Sequence, residues 1–256
     1  MMETMTTNKA LATLANYLGD NLLVLSHRLA ETSSKGPFLE EDIAQSNIAL
    51  DLLGQAENLL NMHGKQNETF SNADALSYER SEYQYKNNLL VELPNKDFAH
   101  IIARQFFHDI FLLHCYEALL KTDDLEWLGL AQSGLKEVRY HLHHSSHWMQ
   151  RLGKGTAESK SRLKLAIDYL YPYTTALFDT DEALEYLATK GLFPSMDTIK
   201  EKWYADVLKI MKDIDMSLPE NTYPISGGRK GMHTEHLGHI LVQTQYLHLK
   251  YPEAAW

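Results

Sequence analysis

Residues 11–29 read LATLANYLGDNLLVLSHRL, and their leucines recur at intervals of three and four positions. This spacing puts the leucines on one face of a helix of about five turns, so the stretch predicts an amphipathic helix that packs against other helices. The stripe consists of Leu11, Leu14, Leu18, Leu22, Leu25 and Leu29. Gly36 and Pro37 follow shortly afterwards, and neither continues a helix, so the first helix ends before them.

The second predicted helix runs from the acidic residues 40–42 to about Met62. Negative charge is favourable at the beginning of a helix. The apolar residues of this helix occupy more than one stripe, which predicts a central helix covered on most of its circumference. Residues 64–97 then form a long crossover of polar and short helical segments.

Residues 98–120 and 128–152 show two further helical repeats of apolar side chains, separated by a short turn at 122–124. Such a short connection predicts an antiparallel hairpin. Two hairpins joined by one long connection are the chain order of a ferritin-like four-helix bundle. We therefore predict an all-α fold, a ferritin-like four-helix bundle with additional C-terminal helices.

The chain contains no linker that would divide it into independent domains. Thr234 can cap a final helix that reaches about Lys250. The sequence predicts a single ferritin-like domain over residues 1–256, with the core bundle at about 6–153 and the C-terminal helices at about 159–250.

The overall composition excludes several classes of protein. Apolar residues make up 44% and charged residues 23% of the chain, which is typical of a globular protein and excludes intrinsic disorder. The net charge of −10 has the wrong sign for binding nucleic acid or an anionic membrane surface. Cys115 is the only cysteine, and the chain has neither a signal-peptide pattern nor an apolar run of about 20 residues. We expect a cytoplasmic protein with no membrane partner.

A di-iron site is the chemistry that this architecture most often carries, and the sequence lacks its pattern. Di-iron bundles place a Glu on each of two helices and a Glu-x-x-His pair on each of the other two. Here the residue three positions after Asp51 is Gly54, and the residue three positions after Glu137 is Tyr140. No Glu-x-x-His occurs in the chain. The favoured interpretation is a bundle centre filled by side chains, without catalytic or metal-binding residues. The alternative is an occupied metal centre built from Asp51, Asp109, Glu137 and His141.

Three of these polar residues, Asp109, Glu137 and His141, lie in or beside apolar stripes and are expected to face inward. A buried carboxylate without a partner costs several kcal/mol, so each acid requires donors. The candidate donors are Arg28, Arg104, Lys136 and His141. We interpret these acids as hydrogen-bonded structural groups.

Two histidine-rich segments could also carry chemistry. His141, His143, His144 and His147 share one predicted helix, but they point in several directions, which favours an exposed or partly paired face over a metal site. His233, Thr234, Glu235 and His236 begin the last helix. They could form a metal or acid–base site, but we favour a capping and docking segment because no reacting partner can be placed.

The loop of residues 227–231 is similar to a phosphate cradle, with flexible glycines, two cations and a helix start nearby. Arg229 and Lys230 are weak candidates for binding a phosphate of coenzyme A. The loop matches no nucleotide-binding motif, so a solvent-exposed turn is the favoured interpretation.

Several blocks of sequence together resemble a known family. Residues 18–29, 47–56, 137–142 and 231–238 look like the structural, non-catalytic subunit of bacterial phenylacetyl-CoA epoxidase, in order and spacing along nearly the entire chain. The resemblance implies a ferritin-like bundle that has lost the iron ligands and supplies no catalytic residue. It also implies a role in aerobic phenylacetate degradation.

The same resemblance implies a set of partners. These are a homologous di-iron catalytic subunit, which holds the iron and the thioester, and the other epoxidase subunits, among them a reductase that uses NADPH with flavin and iron–sulfur groups. This chain itself would hold no cofactor, and alone it could form a homodimer. Two alternatives stay open, namely an independent di-iron oxygenase or iron-binding bundle, and a regulatory module that binds coenzyme A.

Overall fold

The computed structural model describes residues 4–67, 69–220 and 222–254. In these ranges the secondary structure is helical, with no strand, so the predicted all-α fold class is confirmed. The predicted domain bounds at 1 and 256 lie outside the described residues. The helices are α1 Thr7–Ala30, α2 Leu39–Gly64, α3 Ala73–Tyr78, α4 Leu89–Glu92, α5 Phe98–Leu119, α6 Leu125–Gly153, α7 Ala157–Leu170, α8 Glu182–Thr189, α9 Met196–Asp213 and α10 Glu235–Lys250. No described helix has the length and apolarity needed to cross a membrane.

Most of these helices begin at a residue whose side chain accepts a hydrogen bond from the first turn. This satisfies one of the backbone N–H groups that a helix start leaves without a partner. The capping residues are Thr6, Asn72, Asn88, Asp97, Asp124, Thr156, Ser195 and Thr234.

The chain divides into two compact units. Unit 1 comprises Met1–Pro94, Asp181–Leu187 and Gly227–Trp256, and unit 2 comprises Asn95–Thr180 and Ala188–Ser226. Each unit contains one long helical hairpin, in the chain order that a ferritin-like bundle requires. The single domain over residues 1–256 stays a prediction.

In unit 1, α1 and α2 form an antiparallel hairpin. Near one end of the pair, the Nδ1 atom of His63 donates to the carbonyl of Ala12 over 2.9 Å. At the other end, the hydroxyl of Thr32 donates to Gln45 over 2.9 Å. The buried side chains of α1 include all but the first leucine of the predicted stripe, so the amphipathic first helix is confirmed.

The second helix is less covered than its sequence predicts. Within unit 1 it packs mainly against α1 and α3, which bury one face. On the opposite face Leu39 is 70%, Ile43 51% and Leu50 65% exposed, with Leu53 beside them. The prediction of a helix covered on most of its circumference is therefore wrong, because its second apolar row has no neighbour within the described chain.

In unit 2, the almost completely buried helix α5 pairs with α6 and also packs against α7 and α9. The predicted antiparallel hairpin is confirmed, since Phe98 contacts Trp148 edge to face and Tyr116 lies against Gly134 at the other end. The indole N–H of Trp203 on α9 donates to the carbonyl of Phe107 over 2.8 Å. This bond fixes α9 on the α5 backbone.

A substitution at Gly134 tests how closely α5 packs against α6. A Cβ at this position would lie 2.5 Å from the ring of Tyr116, whereas a Cβ at Gly129 on the same helix would meet no atom within 4 Å. Overpacking costs about 1–3 kcal/mol, so we expect Gly134→Ala to lower the free energy of unfolding in urea. The control, Gly129→Ala, should raise it by up to about 1 kcal/mol, the helix preference of alanine. Equal effects of the two substitutions would contradict this packing.

Candidate functional site

A polar site lies at the centre of unit 2, around Asp109. Asp109 is fully buried on α5. Its carboxylate accepts hydrogen bonds from the Ser145 hydroxyl of α6 over 2.7 Å and from the Gln105 side chain over 2.5 Å. The sequence correctly predicts an inward-facing, hydrogen-bonded acid, but these two donors are neutral, and neither belongs to the cationic set that we expected.

The cationic side chains that we expected to donate to Asp109 bind other groups or are exposed. Arg28 in unit 1 donates to the carbonyl of Glu92, and Lys136 is exposed. Arg104 in unit 2 donates to the side chain of Asn95. The sequence gives no sign that Ser145 bonds to Asp109, because a serine within a helix more often faces solvent.

Burial controls the protonation of this site. It raises the pKa of Asp109 to about 8, although the bonds from Ser145 and Gln105 oppose the shift. It also lowers the pKa of the neighbouring residue His108 to about 3, with the charges of Arg104 and His141 acting in the same direction. Neither ring nitrogen of His108 has a hydrogen-bond partner among the described residues. Burial therefore favours the neutral forms of both Asp109 and His108.

The remaining metal candidates do not complete a ligand set. His141 is fully buried, whereas Glu137 is half-buried, and Asp51 is a half-buried residue of unit 1. Among the described residues, no group of three or more His, Cys, Asp or Glu side chains is placed to hold a metal ion. The carboxyl of Asp109 is instead bonded to the neutral side chains of Ser145 and Gln105.

The histidines of α6 face several directions, as their spacing predicts. His143 and His147 are exposed and stack with their ring centroids 6.1 Å apart. His144 is half-buried and His141 is buried.

The segment of residues 233–236 joins α10 to the rest of unit 1. The completely buried side chain of His233 bonds to Glu92 over 2.9 Å and to the carbonyl of Tyr85 over 3.0 Å. The backbone N–H of Thr234 donates to the second oxygen of Glu92 over 2.6 Å, and its hydroxyl accepts from the N–H of His236. The segment thus caps and docks α10 within its own unit, while Glu235 is exposed.

The loop of residues 227–231 is not the solvent-exposed turn that we expected. Gly227, Gly228 and Arg229 are buried. A Cβ at Gly228 would overlap the carbonyl oxygen of Asn87, so only glycine permits this approach of two backbones. Arg229 forms an ion pair with Asp181, whereas Lys230 is exposed. Arg229 and Lys230 are adjacent in sequence, but the structure places Arg229 in a buried ion pair and Lys230 in solvent.

Sequence reasoning missed the polar core of unit 1. Asp20 forms a completely buried ion pair with Arg80 of the crossover. Asp20 also accepts a bond from the backbone N–H of Lys86 over 2.8 Å. An available signal was the apolar character of its neighbours one turn away on the same face of α1, Tyr17, Leu23 and Val24.

The fold and the buried centres define a class of protein, namely an all-α protein with the hairpin order of the ferritin-like bundles. The chain belongs to the family of phenylacetic acid catabolic proteins, which matches it over residues 1–256. It is also similar to the C subunit of the 1,2-phenylacetyl-CoA epoxidase of Escherichia coli (strain K12). The two are 40% identical over 239 residues, which cover 93% of this chain and 96% of the relative.

The pKa of Asp109 gives this site a measurable pH dependence. An unfolded Asp109 ionises above about pH 4, whereas the folded carboxyl stays protonated to about pH 8, so this residue lowers stability as the pH rises between these values. Asp109→Asn removes this pH-dependent loss of stability, because an asparagine does not ionise. The new amide can donate to the side-chain oxygen of Gln105, which has no partner among the described residues. We expect the unfolding free energy of the variant, relative to the wild type, to increase by up to about 1.4 kcal/mol per pH unit from pH 4 to 8.

The control for this measurement is Asp123→Asn, which changes an exposed aspartate of the same unit. Its difference from the wild type should not vary with pH in this range. A flat difference for Asp109→Asn would show that Asp109 is ionised in the folded protein.

Proposed function

We propose that this chain is a non-catalytic structural subunit of a phenylacetyl-CoA epoxidase, and that it pairs with a homologous di-iron subunit and stabilises it. The observation that carries the proposal is the centre of unit 2, where the Asp109 carboxyl bonds to Ser145 and Gln105. The bond from Ser145 joins α6 to Asp109 of α5, so this buried acid serves to hold the two helices together. The absence of any Glu-x-x-His pair supports the same role.

The exposed apolar row of α2 supports an interaction with another subunit. Leu39, Ile43, Leu50 and Leu53 lie on one face of this helix. Gly54, beside the row, has no atom near the position of a Cβ, so a partner helix can approach closely. Exposed apolar side chains that share one helix face in this way mark an interaction site. Its occupant in this proposal is the homologous di-iron subunit, and in an isolated sample a second copy of the chain.

The stabilisation works by mass action. A subunit that binds only the folded form of its partner raises the partner's free energy of unfolding. A permanent interface of this type buries roughly 2,000 Å² or more. In this proposal the iron stays in the partner, and a separate reductase subunit with flavin and iron–sulfur groups delivers electrons from NADPH. The single, buried Cys115 fits the reducing cytoplasm.

Co-expression tests this function. We expect the di-iron subunit to be less soluble and to melt at a lower temperature when it is produced alone than when it is produced with this chain, because only the complex gains the interface energy. Yield and thermal unfolding of the purified di-iron subunit are the measurements. Equal values with and without this chain would contradict the proposal.

A charged substitution in the apolar row of α2 tests whether this row forms the interface. Leu50→Lys places an ammonium group in the proposed interface, where its desolvation weakens binding, so co-purification of the partner should fall. Leu165→Lys is the matched control, since Leu165 of α7 is similarly exposed, at 62% against 65% for Leu50. Equal loss in both variants would place the partner elsewhere.

Metal content distinguishes this role from that of an independent di-iron protein that uses Asp51, Asp109, Glu137 and His141. We expect substoichiometric iron in the chain purified alone from iron-supplemented cells, because the sequence has no Glu-x-x-His pair and no described group of three or more His, Cys, Asp or Glu side chains is placed to hold a metal ion. Plasma emission spectrometry measures the iron. About two iron atoms per chain, lost in Asp109→Ala, would favour the independent di-iron protein.

A further inference from the structure

A polar cavity lies within unit 1, apart from the buried centre around Asp109. Its volume is about 480 Å³, and it opens to solvent on one side. Pockets that bind small molecules have volumes of about 300–1,000 Å³, and a benzene molecule fits a cavity of about 150 Å³. The lining includes Asn16, Tyr17, Phe70, Arg80, Lys86 and Arg229.

Arg229 is held rigidly in the wall of this cavity. Its Nε and Nη2 atoms both donate to Asp181, and its guanidinium plane lies 3.9 Å from the centre of the Tyr17 ring. The backbone that carries it is fixed as well, because Gly227 has a φ of +133° and Gly228 contacts the carbonyl of Asn87. The side chain is therefore ordered before any ligand binds.

One guanidinium nitrogen of Arg229 has no partner. The Nη1 atom is buried and donates to no atom of the described residues, and the side chain as a whole is only 4% exposed. A buried charged donor without an acceptor is costly. Asp181 already occupies Nε and Nη2, and Arg229 is a lining residue of the cavity, so a group in the cavity is the acceptor that lies nearest to hand for this guanidinium.

The charge of the cavity favours an anion as that acceptor. Arg80 and Arg229 are each paired with an aspartate, Asp20 and Asp181 respectively. Lys86 is the third cation of the lining, and its ammonium group has only a long bond of 3.4 Å to the carbonyl of Tyr83. One positive charge is therefore left over, in a chain whose net charge is −10.

The other walls are apolar or neutral. The rings of Phe70 and Tyr83 line the cavity, and Tyr83 is 68% exposed at its rim. Burial lowers the pKa of His63, which also lines the cavity, so this imidazole is neutral at pH 7 and adds no charge. An apolar body with one anionic group matches this combination of walls.

We propose that this cavity binds a small organic anion, with its carboxylate or phosphate group at Arg229 Nη1 and Lys86 and its apolar body against Phe70 and Tyr83. This site goes beyond the structural role proposed above and does not depend on it. Lys230, which is exposed, takes no part.

Calorimetric titration of the full-length chain at constant ionic strength tests the proposal. The probes are phenylacetate, phenyl phosphate and 2-phenylethanol, which share a benzene ring and carry a carboxylate, a phosphate and a neutral hydroxyl. We expect saturable binding of at least one anion and none of the alcohol. The tighter of the two anions identifies the group for which the site is built.

Three variants assign the binding to this cavity. We expect Arg229→Gln to weaken binding of the anion by roughly tenfold or more, and Lys86→Gln by roughly threefold, since one loses a buried and the other a partly exposed charge. Lys230→Gln, the neighbouring control, should change the affinity by less than about twofold. If Arg229→Gln does not fold, the wild type and Lys86→Gln still decide the result.

Three outcomes would overturn the proposal. These are the absence of saturable binding of either anion up to about 10 mM, equal affinity for the alcohol, and an affinity that is unchanged in Lys86→Gln and in any folded Arg229→Gln protein.

Discussion

The structure of unit 1 depends on a row of polar side chains on α1 that face the interior. Asn16, Asp20, Asn21 and Arg28 are all buried on this helix. The crossover that follows α2 has little regular structure, so its backbone groups need hydrogen-bond partners from elsewhere. Asp20 binds the N–H of Lys86, Asn21 binds the N–H of Asn88, and Arg28 binds the carbonyl of Glu92. One helix thus supplies the bonds that the crossover cannot make for itself.

The polar row of α1 positions two features of unit 1. Arg28 also donates to the carbonyl of His236, and Glu92 accepts from His233, so the crossover fixed by α1 in turn fixes the start of α10. Arg80, the partner of Asp20, forms part of the cavity wall, and the loop that carries Arg229 packs on the same crossover. The polar interior of α1 therefore positions both the docking segment and the proposed anion site.

Unit 2 uses buried polar groups differently. Asp109 and His108 are adjacent on α5, and burial drives both toward their neutral forms. The carboxyl of Asp109 accepts bonds from Ser145 of α6 and from Gln105 of α5, which offset part of the cost of burying it. The bond from Ser145 joins α5 to α6.

The sequence by itself determined the helices, the order of the two hairpins, the inward position of Asp109 and the missing Glu-x-x-His pairs. These follow from periodicity, capping residues and spacing, which are local properties of the chain. Only the tertiary structure decided that residues 227–229 are buried, that α2 keeps an exposed apolar row, that Ser145 bonds to Asp109, and that Asp20 pairs with Arg80. Asp20 and Arg80 are 60 residues apart, and neither the burial nor the pairing of such groups is encoded in local spacing. Both depend on which distant segments the fold brings together.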